Sequence, residues 1–253
     1  MAKKDRLEVI NRFVHDNGEV SIADVFALFP DTSSMTIRRD LEKLEQRGSI
    51  MRLRGRVKAV TRQYKFREEN YSNRMKENIE GKQIIAQKAM KYIKRGCSMF
   101  FDAGTTTMQL ASMIKEGDYF ILTSGPNIAL ELIKKEGVSV IMTGGHMDRD
   151  YLNVTGTNAI NMVDSINIDI AFLVPSGFSM DGQFTVGNAD HAELKKLIIR
   201  KARKCIMLMD SSKLDKNLPY TFATLENVDV LICDKQLPEV IIREARKTDT
   251  III

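Results

Sequence analysis

The segment Asp102–Thr107, with the sequence "DAGTTT", combines residue types that suit the binding of an anion such as phosphate. Gly104 allows the backbone to approach a ligand closely, and Thr105, Thr106 and Thr107 supply hydroxyl groups. If these threonines begin a helix, their backbone amides lack partners within that helix and favour a negative charge. An ordinary strand-to-helix turn capped by a threonine has the same sequence pattern, so the segment alone leaves both interpretations open.

Four further polar segments follow apolar runs in the same way. Ligands of parallel α/β sheets bind beyond the carboxyl ends of the strands, so we expect these segments to meet "DAGTTT" at one edge of a sheet. Together they predict a site for a phosphorylated small molecule. The segments are "TSGPN" (Thr123–Asn127), "GGHMDR" (Gly144–Arg149), "PSGF" (Pro175–Phe178) and "DSSK" (Asp210–Lys213). The candidate ligand-binding residues are Asp102, Gly104, Thr105, Thr106, Thr107, Asn127, Gly145 and Lys213, the last as a balancing cation.

The segment "SSMTIRRDLEKLEQRG" (Ser33–Gly48) suits a different partner, nucleic acid. At about 100° per residue, Ile37, Leu41 and Leu44 share the apolar face of one helix. The opposite face begins with small and apolar residues and continues with cations, an arrangement typical of a helix that lies in the DNA major groove. Its residues, with Arg38 on the flank, are Ser34, Met35, Thr36, Arg39 and Lys43.

Two short β-type runs, Ile50–Leu53 and Val57–Val60, follow this helix and surround the sequence "RGR". They predict a hairpin with basic residues at its tip. Between Arg47 and Arg67 there are eight basic residues and no acidic residue, a pattern found both on solvated faces and on surfaces that contact phosphates. A winged helix used for protein contacts is the alternative to DNA binding. In the hairpin, the candidate DNA-binding residues are Arg52, Arg54 and Arg56.

Apolar periodicity and capping residues predict the elements that position these side chains. Helices over residues 5–17 and 22–29, the second capped by Ser21, precede the helix capped by Ser33 or Ser34. With the hairpin they form a winged helix-turn-helix domain over residues 1–60. A polar, partly helical linker is expected over residues 61–81.

Residues 82–253 alternate apolar runs with helical patterns, which predicts a mostly parallel α/β domain with helices on both faces of the sheet. The predicted helices cover residues 82–94, 107–115, 127–135 and 191–203. The predicted strands are Ser98–Asp102, Tyr119–Thr123, Val138–Thr143, Asp169–Val174, Cys205–Asp210, Val228–Cys233 and the terminal "TIII".

Composition narrows the class of protein. The 253 residues are 43% hydrophobic and carry a net charge of +5, and residues 1–62 hold 13 basic against 9 acidic side chains. Three widely spaced cysteines and three histidines show neither a disulfide framework nor metal-ligand spacing, so we expect no metal and no cofactor. No segment is typical of a membrane span or a signal peptide, which favours a cytoplasmic protein without a membrane partner.

Residues 5–55 resemble the DeoR family of bacterial transcriptional regulators, through "TIRRDLEKLEQRG" (Thr36–Gly48) followed by a basic wing. The resemblance extends to the second domain through "DAGTTT", "TGG" (Thr143–Gly145), "DIAFLVPSGF" (Asp169–Phe178) and "DSSK". The chain departs from the family in four places. Gly55-Arg56 replaces a Gly-Gly pair, "TSGPN" replaces Thr-Asn-Ser, "LVPSG" replaces Leu-Gly-x-x-Gly, and His191 lies near a position usually held by Glu.

The resemblance implies that the second domain is similar to sugar-phosphate isomerases such as ribose-5-phosphate isomerase and that it senses a phosphorylated sugar. It further implies that Asp102, Gly104, Thr105, Thr106 and Lys213 line the effector site. Arg74, Lys82 and Lys195 match family positions with a weaker claim to ligand contact.

Two functions of different classes follow. The first is a DNA-binding repressor relieved by a phosphosugar, which we expect to be a homo-oligomer because winged-helix proteins bind paired half-sites; sequence does not separate a repressor from an activator. The second is a sugar-phosphate isomerase with an added DNA-binding module. Its candidate acid-base groups are Asp102, Asp169, Asp181, His191 and Glu193.

Overall fold

The computed structural model describes residues 3–30, 32–46, 49–59 and 68–253. Contacts divide the chain into two compact units, Met1–Phe66 and Arg67–Ile253. The predicted boundary at residue 60 and the predicted linker over residues 61–67 lie outside the described residues. The rest of that linker includes residues 71–76 and 79–81, which are helical in the second unit.

The first unit combines three helices with a three-stranded antiparallel sheet, and it confirms the predicted winged helix-turn-helix. The predicted elements are α1 (Lys3–Asn17), α2 (Ile22–Ala27), α3 (Ser34–Gln46) and the hairpin of β2 (Ile50–Leu53) and β3 (Arg56–Ala59). One strand, β1 (Glu19–Ser21), is an addition to the prediction. It pairs with β3, so the strand order is β1-β3-β2.

Local interactions fix the ends of these elements. The Ser21 hydroxyl accepts a hydrogen bond from the Asp24 amide while the Asp24 carboxylate accepts one from the Ser21 amide, which is a capping box at the start of α2. The Ser33 hydroxyl accepts from the Thr36 amide at 3.3 Å, so Ser33 caps α3. Gly55 adopts a φ of +75° at the tip of the hairpin, a conformation that glycine adopts without strain.

A buried ion pair joins α1 to α3. The Arg6 Nε atom lies 2.6 Å from Asp40 Oδ2, and the two side chains are only 12% and 2% exposed. Around this pair, the apolar face of α3 packs on α1 and the hairpin through Ile37, Leu41 and Leu44. The pair therefore helps to set the orientation of α3 within the unit.

The second unit is built on a seven-stranded parallel sheet with the order β15-β14-β12-β9-β4-β5-β6, which confirms the predicted α/β class. Four strands end one residue before their predicted ends, because Asp102, Thr143, Val174 and Asp210 already belong to the connections at the edge of the sheet. The strands are β4 (Ser98–Phe101), β5 (Tyr119–Thr123), β6 (Val138–Met142), β9 (Ile168–Leu173), β12 (Ala202–Met209), β14 (Val230–Cys233) and β15 (Ile251–Ile252).

Helices cover both faces of this sheet, so successive residues of each central strand enter different cores. In β4, Met99 and Phe101 pack on one face and Phe100 on the other. The first face is covered by α5 (Ile79–Ala89), α6 (Thr105–Met113) and α7 (Pro126–Leu132), and the second by α8 (Thr157–Ser165), α9 (Ala189–Lys201) and α10 (Glu239–Lys247).

Several smaller elements were not predicted from sequence. They are the helices α8 and α10, the hairpin of β7 (His146–Asp148) and β8 (Asn153–Thr155), and an antiparallel sheet of β10 (Gly177–Phe178), β11 (Gln183–Val186) and β13 (Tyr220–Thr224). Helix α4 (Tyr71–Lys76) lies in the segment that was expected to be partly helical. The new strands are two to five residues long, too short for an alternating pattern to be recognised. Within the described part of the chain, no helix is long and apolar enough to cross a membrane.

Thiol reactivity tests the packing of the second unit. Cys205 and Cys233 are buried, and burial raises the pKa of each thiol to about 12, whereas Cys97 is partly exposed. Because the thiolate is the reactive species, only Cys97 should react quickly with an aromatic disulfide reagent in the native protein at about pH 8. All three thiols should react after denaturation. Cys97→Ser should remove the fast phase, and fast reaction of that variant would contradict the described core.

Unfolding tests the Arg6–Asp40 pair. Arg6→Met leaves the Asp40 carboxylate buried without its partner, and should lower the free energy of unfolding of the first unit by about 3 kcal/mol. The control is Arg56→Met, whose pair with Glu19 is exposed, so its loss should cost about 0.5 kcal/mol. Urea unfolding with hydrogen exchange in α1 and α3 measures both. Equal effects of the two substitutions would rule out a structural role for the buried pair.

Candidate functional site

The polar face of α3 is a surface with unpaired arginines. Arg38 and Arg39 are exposed, and neither side chain forms a hydrogen bond or ion pair with another described residue. Ser34 is also exposed, and Met35 is 63% exposed although it is apolar. Lys43, one helical turn beyond Arg39, is half-buried. Two free cations beside an exposed methionine, on one helix face, are suited to contact the groove and the phosphates of a nucleic-acid duplex.

The start of α3 has a more restrained geometry. The Thr36 hydroxyl lies 2.9 Å from the Ser33 hydroxyl, so Thr36 takes part in the cap while it remains partly exposed. A threonine held in this way has a fixed rotamer, which favours a defined contact over an adaptable one.

The hairpin places its three candidate arginines in different environments. Arg52 is paired with α3: its Nε atom donates to Glu45 at 2.8 Å and its Nη1 atom lies 3.3 Å from Glu42. These contacts lower the pKa of Glu45, chiefly through its hydrogen bond with the Arg52 amide. Arg56 pairs with Glu19 at 2.7 Å. Arg54, beside Gly55 at the tip, is exposed and has no partner among the described residues.

In the second unit, "DAGTTT" leads from β4 into α6. Gly104 is the N-cap of α6, and Thr105, Thr106 and Thr107 form its first turn. The Thr107 hydroxyl donates to the carbonyls of Asp102 and Gly104, at 2.7 and 3.0 Å, and so it stabilises the turn. The hydroxyls of Thr105 and Thr106 form no hydrogen bond with any described residue, and both side chains lie buried at the carboxyl edge of the sheet.

Gly104 has a packing role in addition to the predicted close approach of a ligand. A Cβ atom at this position would lie 2.5 Å from Val174 Cγ2, so no larger residue fits between α6 and the end of β9. Gly145 is constrained in a similar way, because a Cβ there would lie 2.4 Å from the Thr155 carbonyl oxygen. Gly145 is exposed in the turn between β6 and β7 and does not line the cavity described below.

Asp102 is paired with Lys195, one of the residues to which the family resemblance gives a weaker claim to ligand contact. The Lys195 ammonium group contacts Asp102 Oδ2 and donates to the Val174 carbonyl at 2.9 Å, while the same carboxylate oxygen accepts from the Val174 amide. Lys195 is buried on the apolar face of α9 with His191, Leu194 and Ile198. A lysine on an apolar helical stripe is a second signal in the sequence that indicates its burial.

Next to this pair lies a small cavity with several buried polar walls. Its volume is about 10 Å³, roughly that of one water-sized sphere. Three buried polar atoms in its lining, Arg74 Nε, Asn153 Oδ1 and His191 Nε2, have no hydrogen-bond partner among the residues that the structure describes. Burial lowers the pKa of His191, so its ring is neutral at physiological pH. The other residues that line the cavity are Glu68, Ala103, Tyr151, Val174, Ser176, Val186 and Lys195.

Unpartnered polar atoms are costly in a protein interior, and their concentration in one cavity needs a physical reason. A ligand with hydroxyl or anionic oxygens would provide partners for Arg74 and His191, and a donor for Asn153. Ring contacts fix two of the walls, since the Tyr151 and His191 rings meet edge to face at 5.3 Å and the Arg74 guanidinium lies 5.9 Å from the Tyr151 ring centre.

Lys213 belongs to a neighbouring charge cluster. Its Nζ atom lies 2.9 Å from Glu77, and although burial alone would raise the pKa of Glu77, the hydrogen bond from Lys213 lowers it. Lys82 donates to the backbone carbonyls of Arg74 and Glu77, and burial lowers its pKa. Asn78 links this cluster to Asp210 and Asp234. The predicted cation is therefore already paired within the chain.

Asn127 lies on another side of the edge. Its side-chain amide donates to the Tyr71 hydroxyl at 2.7 Å, and its own Oδ1 atom is buried without a partner. Burial raises the pKa of Tyr71. None of the eight candidate ligand-binding residues is among the described residues that line the cavity. Asp102 is connected to it through Lys195, whereas Asn127 and Lys213 contact Tyr71 and Glu77 in the α4 region. No group of three or more residues among those described could hold a metal ion.

Two family models match this chain and together cover most of it. The DeoR-like helix-turn-helix domain matches residues 6–63, and the DeoR C terminal sensor domain matches residues 77–235. The HTH-type transcriptional regulator GlpR of Haloferax volcanii is 37% identical over 81% of this chain and 80% of its own length. The HTH-type transcriptional repressor GlcR of Bacillus subtilis is 30% identical over 93% of this chain and 90% of its own length.

Solved structures with a similar fold include ribose 5-phosphate isomerase A from Methanocaldococcus jannaschii. The two chains are 17% identical, with a TM-score of 0.40 over 56% of each. At this identity the likeness concerns the fold alone.

Substitution of the two free arginines tests the surface of α3. If Arg39 reads a base, Arg39→Ala should cost about 1–3 kcal/mol of binding to the specific duplex and relax preference at one position. Arg38→Ala, at the flank, should weaken binding to all duplexes to a similar degree. Fluorescence anisotropy with specific and scrambled DNA distinguishes these effects.

The matched control for this experiment is Arg246→Ala, which removes an exposed arginine from α10 in the second unit. It should leave both affinities unchanged. If Arg39→Ala behaves like this control, Arg39 lies outside the DNA interface.

Proposed function

The chain belongs to the DeoR family of transcriptional regulators, and on that basis we propose that it is a repressor whose affinity for its DNA operator is lowered by a phosphorylated sugar. One observation carries the ligand part of this proposal. A cavity at the carboxyl edge of the parallel sheet is lined by three buried polar atoms that have no hydrogen-bond partner among the described residues. Such a site is suited to a small, polyhydroxylated anion.

The DNA part of the proposal is supported by the face of α3. Arg38, Arg39 and the hairpin tip at Arg54 offer cations that are not already neutralised by described carboxylates. The relative GlcR is named a repressor, whereas a relative from Escherichia coli that is 29% identical over 81% of this chain is named an L-fucose operon activator, so the names of relatives do not separate repression from activation. A reporter gene behind the native promoter, with and without the protein, decides between the two.

The mechanism would be thermodynamic linkage between the two sites. If the sugar phosphate binds better to the state with low DNA affinity, it weakens DNA binding by the factor by which DNA weakens sugar binding. We further propose a homo-oligomer, since two copies of a winged helix bind paired half-sites of an operator. Sedimentation of the protein with and without DNA measures the stoichiometry.

A sugar-phosphate isomerase receives less support from the arrangement of the acid-base groups. Asp169 accepts from the Ser98 amide and hydroxyl at the amino end of the strands, opposite the cavity, and these hydrogen bonds lower its pKa. Asp181 and Glu193 are exposed, and Asp102 is held by Lys195. We therefore propose that the protein has no isomerase activity. Turnover of ribose 5-phosphate by the purified protein would overturn this view.

The decisive experiment measures DNA binding with a panel of ligands. The duplex comes from upstream of the protein's own gene, unrelated DNA is the control, and each sugar phosphate is paired with its free sugar. We expect tight specific binding that one sugar phosphate weakens and its free sugar does not. Specific binding that no ligand changes would contradict the proposed effector response.

A substitution then connects that response to α6. Thr105→Val removes one hydroxyl with little change of shape, and should weaken binding of the effective sugar phosphate by about fivefold, the loss of one hydrogen bond to a hydroxyl group of the ligand. Thr157→Val is the matched control, because Thr157 also begins a helix, α8, and is exposed. Calorimetric titration measures both affinities. Equal affinities would place Thr105 outside the site.

A further inference from the structure

Glu68 is a buried carboxylate that three donors from different elements hold. Its side chain is 4% exposed. The Oε1 atom accepts from the Ser176 hydroxyl at 2.5 Å and lies 3.1 Å from Arg74 Nη1, and the Oε2 atom accepts from the Gly187 amide at 3.2 Å. An acid near the beginning of the second unit thus reaches the connections after β9 and β11.

These donors form a binding site for an anion, whichever molecule supplies it. A guanidinium group, a hydroxyl and a backbone amide are the groups that proteins use for carboxylates and phosphates. The Gly187 backbone lies close to Glu68, because a Cβ at Gly187 would lie 2.9 Å from Glu68 Cβ. A larger residue at position 187 would therefore crowd the Glu68 side chain.

The same carboxylate is a wall of the cavity at the edge of the sheet. Arg74 uses one nitrogen for Glu68, while its Nε atom has no partner and His191 Nε2 beside the cavity also has none. About 10 Å³ of space remains in this cavity, too little for a sugar phosphate. A second space, of about 280 Å³, is lined by Glu68, Asn70, Asp150 and Tyr151, so Glu68 borders both. The groups that donate to Glu68 become available to a ligand only when its carboxylate leaves them.

We propose that Arg74, Ser176 and Gly187 form a phosphoryl subsite that Glu68 occupies as an internal anion, and that a phosphorylated ligand binds by displacing it. This rests on the proposed function and deepens it by assigning the group that recognises the phosphate. The closed form is then an autoinhibited state, and the ligand's apparent affinity is reduced by the small fraction of open molecules.

The test uses inorganic phosphate as the probe and the full-length protein. Glu68→Gln keeps the shape of the side chain but removes the charge that competes with phosphate, and frees Arg74. It should bind phosphate about tenfold more tightly than the wild type in calorimetric titration at matched ionic strength with sodium chloride. Glu69→Gln, an exposed neighbour, is the matched control and should bind like the wild type. The double variant Glu68→Gln, Arg74→Met should lose the increase in phosphate affinity that Glu68→Gln alone produces.

Hydrogen exchange of the wild type gives a second readout that requires no substitution. Phosphate should increase exchange at the amides of residues 68–76 as Glu68 leaves its donors. Decreased or unchanged exchange there, or a Glu68→Gln affinity equal to or weaker than that of the wild type, would overturn the displacement. Operator release tests the proposed function separately. If a sugar phosphate releases DNA from the wild type and from Glu68→Gln with equal affinity, the proposed regulatory function stands and the proposed role of Glu68 as a competing anion is wrong.

Discussion

Buried positive charge is the constraint on which the second unit depends. Four basic side chains with exposures of 1–7% lie near the carboxyl edge of the sheet, namely Arg74, Lys82, Lys195 and Lys213. A buried cation is tolerated only where acceptors surround it. Each of the four cations has a different acceptor: Glu68 accepts from Arg74, backbone carbonyls from Lys82, Asp102 from Lys195 and Glu77 from Lys213. The helices and loops that supply these acceptors enclose the cavity.

The sequence predicts the large parallel elements well because each contains a long apolar run. Strands β4, β5 and β12 are recognisable since both of their faces are buried, and the edge where their polar connections meet follows from their direction. Strands β10 and β11 pair locally but are only two and four residues long, too short for an alternating pattern to be recognised. Strand β13 pairs with β11 far away in the chain, as Gln183 does with Thr224, a relation that no local pattern contains.

Prediction of the site was limited by the same difference between local and distant contacts. Arg38 and Arg39 follow from helical periodicity alone, since exposure on an amphipathic helix is a local property. The partners of Arg52 and Lys213 cannot be predicted from periodicity, because only the fold brings Glu42, Glu45 and Glu77 to these side chains. Glu68 lies in a polar stretch that resembles a linker, and its burial depends on Ser176 and Gly187, more than a hundred residues later.

The ties between Arg52 and α3 have a consequence for the dependence of DNA binding on ionic strength. Their side chains are 34–51% exposed, so dissolved ions screen the attraction that holds the hairpin against the helix. Salt also competes for the DNA phosphates themselves. Added salt therefore acts twice, once on the contacts with DNA and once on the rigidity of the wing that presents Arg54. A count of phosphate contacts from the slope of affinity against salt would exceed the number of cations at the interface.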